Sequence, residues 1–150
     1  MKGFNLFSQE TDEQAEQGGV WVDYTDDGVV VAQVLVARAN NQDYARLMTS
    51  LYEKNRQVIE AGLDTTDKEK TERADEISKT IDKKCFTRHI IKGWKGFVGP
   101  DGNDFKFTMA NAELVYDRLS EFVSQVKIAS AKADNYRVSN LKKDAETLKK

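Results

Sequence analysis

The sequence predicts an α+β fold, mainly α, in which an N-terminal β-hairpin is followed by three to four amphipathic helices. Three observations carry that reading. Two runs rich in β-branched and aromatic residues flank an Asp-Gly turn between Val20 and Val36. Apolar residues then recur at three- and four-residue spacing through most of the remaining chain. The length of 150 residues suits one domain with a core large enough to stand without disulfides or a metal.

The elements follow in order. Residues 1–19 form an acidic arm, and its stretch from Ser8 to Gly19 is polar and holds too little apolar surface to offset the entropy of ordering it, so it reads as a flexible tether. It leaves Phe4, Leu6 and Phe7 as an apolar tag that either folds back onto the core or docks onto another chain. Val20–Tyr24 and Val29–Val36 are the hairpin strands. The second is apolar at nearly every position, which suggests that both its faces are covered, one by helices and the other by a partner or a second copy. Asn40-Asn41 then starts an amphipathic helix with Tyr44, Leu47, Met48, Leu51, Tyr52, Val58 and Ile59 on its apolar side, stopping at Gly62.

A second helix restarts at Asp64–Asp67, carries Ala74, Ile77, Ile81 and Cys85 on one stripe, and runs to about Lys92; its first two turns are expected to be solvated. Residues 93–102 hold four of the nine glycines and the one proline, and form the main irregular stretch. Phe105–Phe107 is a brief extended piece. Thr108 then caps a long helical stretch whose apolar face includes Leu114, Val115, Leu119, Phe122, Val123, Val126 and Tyr136, with a possible break near Ser120 or Ser124. The domain boundaries read as 1–19, 20–138 and a basic tail, 139–150.

Charge and cysteine content narrow the function. The 23 basic and 25 acidic residues leave a formal charge of −2, which argues against a strongly cationic nucleic-acid binder. That balance hides a polarity. Residues 1–28 carry one lysine against seven acids, and residues 127–150 carry seven basic residues against three acids. The single cysteine, Cys85, excludes an internal disulfide and suits a reducing compartment. No apolar run is long enough to span a membrane, and the N-terminus lacks the apolar core of a secretory signal.

No catalytic or metal-binding constellation stands out. Cys85 and His89 are four apart on a helix, but no third or fourth ligand accompanies them, and two ligands do not hold a structural zinc. Asp23, Asp26, Asp27, Asp101 and Asp104 lie where Asp serves turns, and none matches a calcium loop. Gly93, Gly96, Gly99 and Gly102 recur every third residue without the Lys-Ser/Thr ending of a phosphate loop. The expectation is therefore no enzyme, no metal and no cofactor. Trp94 and Phe97 among glycines read either as rings tucked under a turn to close the core or as partner-binding anchors.

Residues 90–118 carry a more specific pattern. A helix ends in Gly93-Trp94-Lys95-Gly96, an Asp101-Gly102 turn follows, then an extended piece with Phe107, a Thr108 cap and a helix opening around Asn111-Ala112. This order resembles tail assembly chaperones of long-tailed bacteriophages, and with the Gly19–Asp23 segment and the later helix to Tyr136 the resemblance extends over residues 18–138. It implies a non-enzymatic protein of the host cytoplasm during phage assembly. Such a protein binds the tape measure protein, assists tail tube assembly, self-associates, and binds neither nucleic acid nor membrane. The candidate partner-binding residues are Trp21, Trp94, Phe97, Phe4 and Phe7. The alternative is a structural virion component, such as a neck or tail-completion protein.

Overall fold

Two residues at positive φ, Asp27 at 50° and Gly28 at 76°, turn the chain between β1 (Val20–Asp26) and β2 (Val29–Val36) in the computed structural model, which describes residues 2–149. That pair of angles suits a two-residue hairpin whose strands keep their right-handed twist. Val20 faces Val36 and Tyr24 faces Ala32, and a bulge at Val31 re-aims the end of β2. The chain is mainly helical, as expected, but the sheet has a third strand.

That strand, β3 (Ile91–Lys95), pairs antiparallel with β2 to give the order β1-β2-β3. The sequence pattern placed a helix as far as Lys92 followed by an irregular stretch. The helix in fact ends at His89, and the chain enters the sheet two residues later. Pairing with the free edge of an apolar central strand outweighs the local glycine signal. Gly93 lies opposite Leu35, under the side chain of Trp21.

β2 buries Val34 and Val36 on its inner face, while Trp21, Val29, Val30 and Val31 stay exposed. Against the inner face pack Phe86 and Ile90, at the end of α4 (Lys68–His89), Ala112 and Val115 of α5 (Met109–Arg118), and Phe122, Val123 and Val126 of α6 (Ser120–Ser130). The helix expected over Asn41–Gly62 comes as two pieces, α2 (Gln42–Lys54) and α3 (Arg56–Ala61), hinged at Asn55, whose amide donates to the Leu51 carbonyl at 2.8 Å. Both lie along α4. Gly62 closes the approach: a Cβ there would fall 2.4 Å from that of Ala74. Asp67 caps α4, whose first turns are largely exposed.

The acidic N-terminal segment holds more structure than its composition suggests. Glu13–Gly18 forms α1, capped by Asp12, whose carboxylate accepts from the Ala15 amide. Backbone hydrogen bonds tie it on two sides: Arg38 N–H to the Glu16 carbonyl at 2.8 Å, Asp12 N–H to the Tyr136 carbonyl at 2.8 Å, and Val138 N–H to the Glu10 carbonyl at 2.9 Å. Arg38 also meets the Glu16 carboxylate at 3.3 Å. A composition argument counts apolar burial, and here polar partners elsewhere in the chain hold the segment. Upstream, Leu6–Gln9 makes a 3₁₀ turn in which Leu6 and Phe7 are exposed, as is Phe4 before it. The tail forms α7 (Val138–Lys149); Met1 and Lys150 lie outside the described residues. Among the described residues no helix is long and apolar enough to cross a membrane.

Candidate partner-binding groove

The glycine-rich stretch after β3 builds one wall of an apolar surface groove. Gly96, at φ 91°, carries the chain past Ala32 so closely that a Cβ would lie 3.3 Å from the Ala32 Cα. Residues 97–105 then fold into a small hairpin. Phe105 N–H donates to the Phe97 carbonyl and Gly99 N–H to the Asn103 carbonyl, each at 2.9 Å. At its tip the Asp101 carboxylate accepts from the Asn103 N–H at 3.0 Å, and that hydrogen bond holds the exposed carboxyl below its usual range.

The hairpin packs on aromatic rings. Trp94 stacks on Phe105 with ring centres 5.7 Å apart and 7° between planes, and its Nε1–H donates to the Phe105 carbonyl at 2.6 Å. Phe107 stands edge-on to Trp94 at 4.8 Å. Phe97 meets Tyr24 at 5.4 Å and Phe122 at 5.7 Å. Edge-to-face and offset contacts of this kind suit the ring quadrupoles and fix the rings relative to one another.

Opposite the hairpin, the helical stretch bends. Leu119 leaves helical geometry at φ −120°, ψ 72°, so α5 and α6 meet in an elbow at Ser120, one of the two break points read from the sequence. Between elbow and hairpin runs an apolar groove of about 630 Å³. Trp94, Phe97, Phe105 and Phe122 contribute to its lining, Val98, Leu114 and Leu119 stand exposed along it, and Arg118 and Glu121 supply charge at the elbow. The Tyr24 hydroxyl, also in the lining, is pushed above its ordinary pKa by burial and then by Glu121 and Asp26.

The five residues singled out from sequence fall in three places. Trp94 and Phe97 come together at the groove, Trp94 almost wholly buried (8% exposed) and Phe97 half-buried. Trp21 lies on the outer face of the sheet, with the Lys95 ammonium 4.2 Å from its ring centre. Phe4 and Phe7 sit at the N-terminus. The sequence reading placed Leu114 and Leu119 on the helical core face and missed them as groove residues; for Leu119 the signal was the suspected break near Ser120, where it leaves helical geometry. Cys85 is fully buried, its thiol pushed up by that burial, and among the described residues no three His, Cys, Asp or Glu side chains are grouped to hold a metal.

A family model described as the YdaY prophage protein matches residues 39–150, well over half of the chain. The chain belongs to the YdaY prophage protein family. No curated protein and no solved structure matches it. The YdaY match begins just after β2, so it takes in the glycine hairpin, the α5–α6 elbow and every lining residue of the groove except Tyr24. The β1–β2 hairpin and the acidic arm precede it. A prophage origin agrees with the phage character expected from the Gly93–Ala112 pattern; the YdaY description itself names no activity.

Proposed function

We propose that this prophage protein is a non-enzymatic tail assembly chaperone, which holds the tape measure protein through the groove between the glycine hairpin and the α5–α6 elbow. In this reading it works in the host cytoplasm during assembly, without a cofactor, and hands its client on as tail tube protein surrounds it. The groove carries the reading. An aromatic floor fixed by ring contacts, with leucines left in water along one wall, is the kind of surface that takes the apolar face of a helix. A tape measure protein is long, helical and prone to aggregate, and presents such faces. The residues of the phage chaperone pattern, from Gly93 to Ala112, build the hairpin and the start of the helix that leads into the elbow.

Co-expression with the tape measure protein of the same prophage tests the reading. The client is expected in the soluble fraction with the wild-type chain and in the pellet with Leu119→Glu, which places a charge in the groove at an exposed position and leaves the core intact. Equal precipitation with and without the wild-type chain overturns the proposal. Purified particles are expected to lack the protein, and its stoichiometric presence there would favour a structural virion component instead.

A further inference from the structure

The sheet ends in β1 on one side, and along that edge the chain leaves backbone groups without partners. The two-residue turn makes Asp26 and Val29 the first ladder pair, and in an antiparallel ladder the residues that exchange hydrogen bonds alternate. The N–H and C=O groups of Val20, Val22 and Tyr24 therefore point to β2, and those of Trp21, Asp23 and Thr25 point away from it. The bulge lies on β2, so β1 itself stays regular. Thr25 bears this out: its N–H donates to Gln125 Oε1 at 2.9 Å, and its carbonyl accepts from Gln125 Nε2 at 3.1 Å. A side-chain amide of α6 thus stands where the peptide group of a further strand would stand. For Trp21 and Asp23, both exposed, no such partner meets the outward N–H and C=O groups among the described residues.

We propose that the β1 edge at Trp21–Asp23 pairs with an extended, basic segment of a partner protein, which joins the sheet as a fourth strand. The backbone sets the shape of the occupant. Unpaired groups repeating about every 7 Å, the spacing of alternate strand residues, match an extended chain and not a helix. Charge sets its composition. Asp23, Asp26 and Asp27 lie on the strand and its turn, Glu121 lies one turn before Gln125 on α6, and none of the four makes an ion pair among the described residues. Lys95 reaches the Trp21 ring from β3, two strands in from the edge, and pairs with none of them. A lysine or arginine opposite Asp23 in the added strand shares its face of the sheet and meets the carboxylate, while the residue opposite Trp21 lies against the ring. A second copy of β1 is a poor occupant, because it brings the same aspartates to the edge and like charges across a strand pair destabilise it. Edges that must stay unpaired commonly carry lysine, proline or a bulge, and β1 carries none of these. Trp21 and Asp23 stand outside the groove lining, so the inference does not rest on the chaperone reading.

Amide hydrogen exchange followed by NMR on the full-length protein tests it, with synthetic peptides of about ten residues as probes. One alternates valine with lysine, one alternates valine with glutamate, and the third is the valine–lysine peptide with every amide N-methylated, which keeps the charge and loses the donors. The valine–lysine peptide is expected to slow exchange at Trp21 and Asp23 at least about tenfold at saturation and to leave Val22 unchanged, since its N–H is already paired. The other two peptides are expected to give no protection. Asp23→Lys is expected to reverse the choice between the basic and acidic peptides. Asp23→Pro, which removes an N–H that the ladder does not use, is expected to abolish protection at Trp21 as well; should it lose its circular dichroism, Asp23→Lys decides alone. No binding of the valine–lysine peptide at millimolar concentration, equal protection by the acidic or the N-methylated peptide, or protection confined to groove residues overturns the proposal. So does protection of Trp21 and Asp23 that grows with protein concentration in the absence of peptide, which would make a second copy the occupant.

Discussion

Single residues close this fold where strands and helices meet. Tyr136 is fully buried, and its hydroxyl donates to the Val36 carbonyl, joining the C-terminal region to the end of β2. Tyr136→Phe keeps the ring and removes that hydrogen bond, so urea denaturation is expected to show a loss of about 0.5–1.5 kcal/mol. Trp94 fills the space under the glycine hairpin, and Trp94→Ala is expected to cost about 3–5 kcal/mol; Trp94→Phe, which mainly removes the Nε1–H bond to Phe105, is expected to cost less. His89 supplies a pH dependence. Burial, and then Lys92, lower its pKa, and its Nδ1 has no hydrogen-bond partner among the described residues. The unfolded chain therefore takes the proton first as pH falls, so this contribution is complete above the ordinary histidine pKa of about 6.5 and is lost below it. Urea midpoints between pH 8 and 5 are expected to fall through that range in the wild type and less steeply in His89→Gln.

At the scale of elements, short polar signals decide where helices start and stop, and close contacts decide how they pack. Thr108 caps α5 by accepting from the Asn111 N–H at 3.1 Å, and Thr108→Ala is expected to cost about 1 kcal/mol in a thermal or urea melt. Gly62 permits α3 to sit on α4. Gly62→Ala would bring its Cβ to 2.7 Å from the Lys70 carbonyl oxygen as well as 2.4 Å from Ala74. Separation of the two helices is expected to destabilise by about 1–3 kcal/mol and to raise amide exchange selectively in residues 56–74. The elbow at Leu119 works in the other direction. Leu119 sits at the bend and Leu114 precedes it on α5, and both are exposed beside the glycine hairpin.

The whole molecule is polar in charge and lopsided in exposed apolar surface. The acidic N-terminal region is held by Arg38 and by backbone bonds to Tyr136 and Val138, so some of its charge is answered within the chain. The ion pairs Lys83–Asp117 and Lys127–Asp82, each at 2.8 Å, join α4 to α5 and α6, and Tyr116 donates to the same Asp82 carboxylate. These contacts brace, from α4, the two helices α5 and α6 that form one wall of the groove. Exposed apolar side chains gather in three regions, the groove, the N-terminal segment and the strand end Val29–Val31, while Trp21, Tyr52, Leu63, Met109 and Ile128 stand exposed elsewhere.

The sequence by itself determined the hairpin, its Asp-Gly turn, the helical periodicity, the Thr108 cap and the prominence of Trp94 and Phe97, because each is encoded within a few neighbouring residues. Phage character was legible for the same reason, in the order of residues from Gly93 to Ala112. What only the tertiary structure decided depends on partners far away in the chain. β3 forms because β2 offers it a free edge, although its own residues read as a helix end and a loop. The acidic segment is held by a carbonyl and an amide more than a hundred residues downstream. The groove exists because a glycine hairpin and a helix elbow, each readable locally as irregular, come to face each other across an aromatic floor. Local propensity records what a segment prefers; pairing and packing between distant segments chose among those preferences.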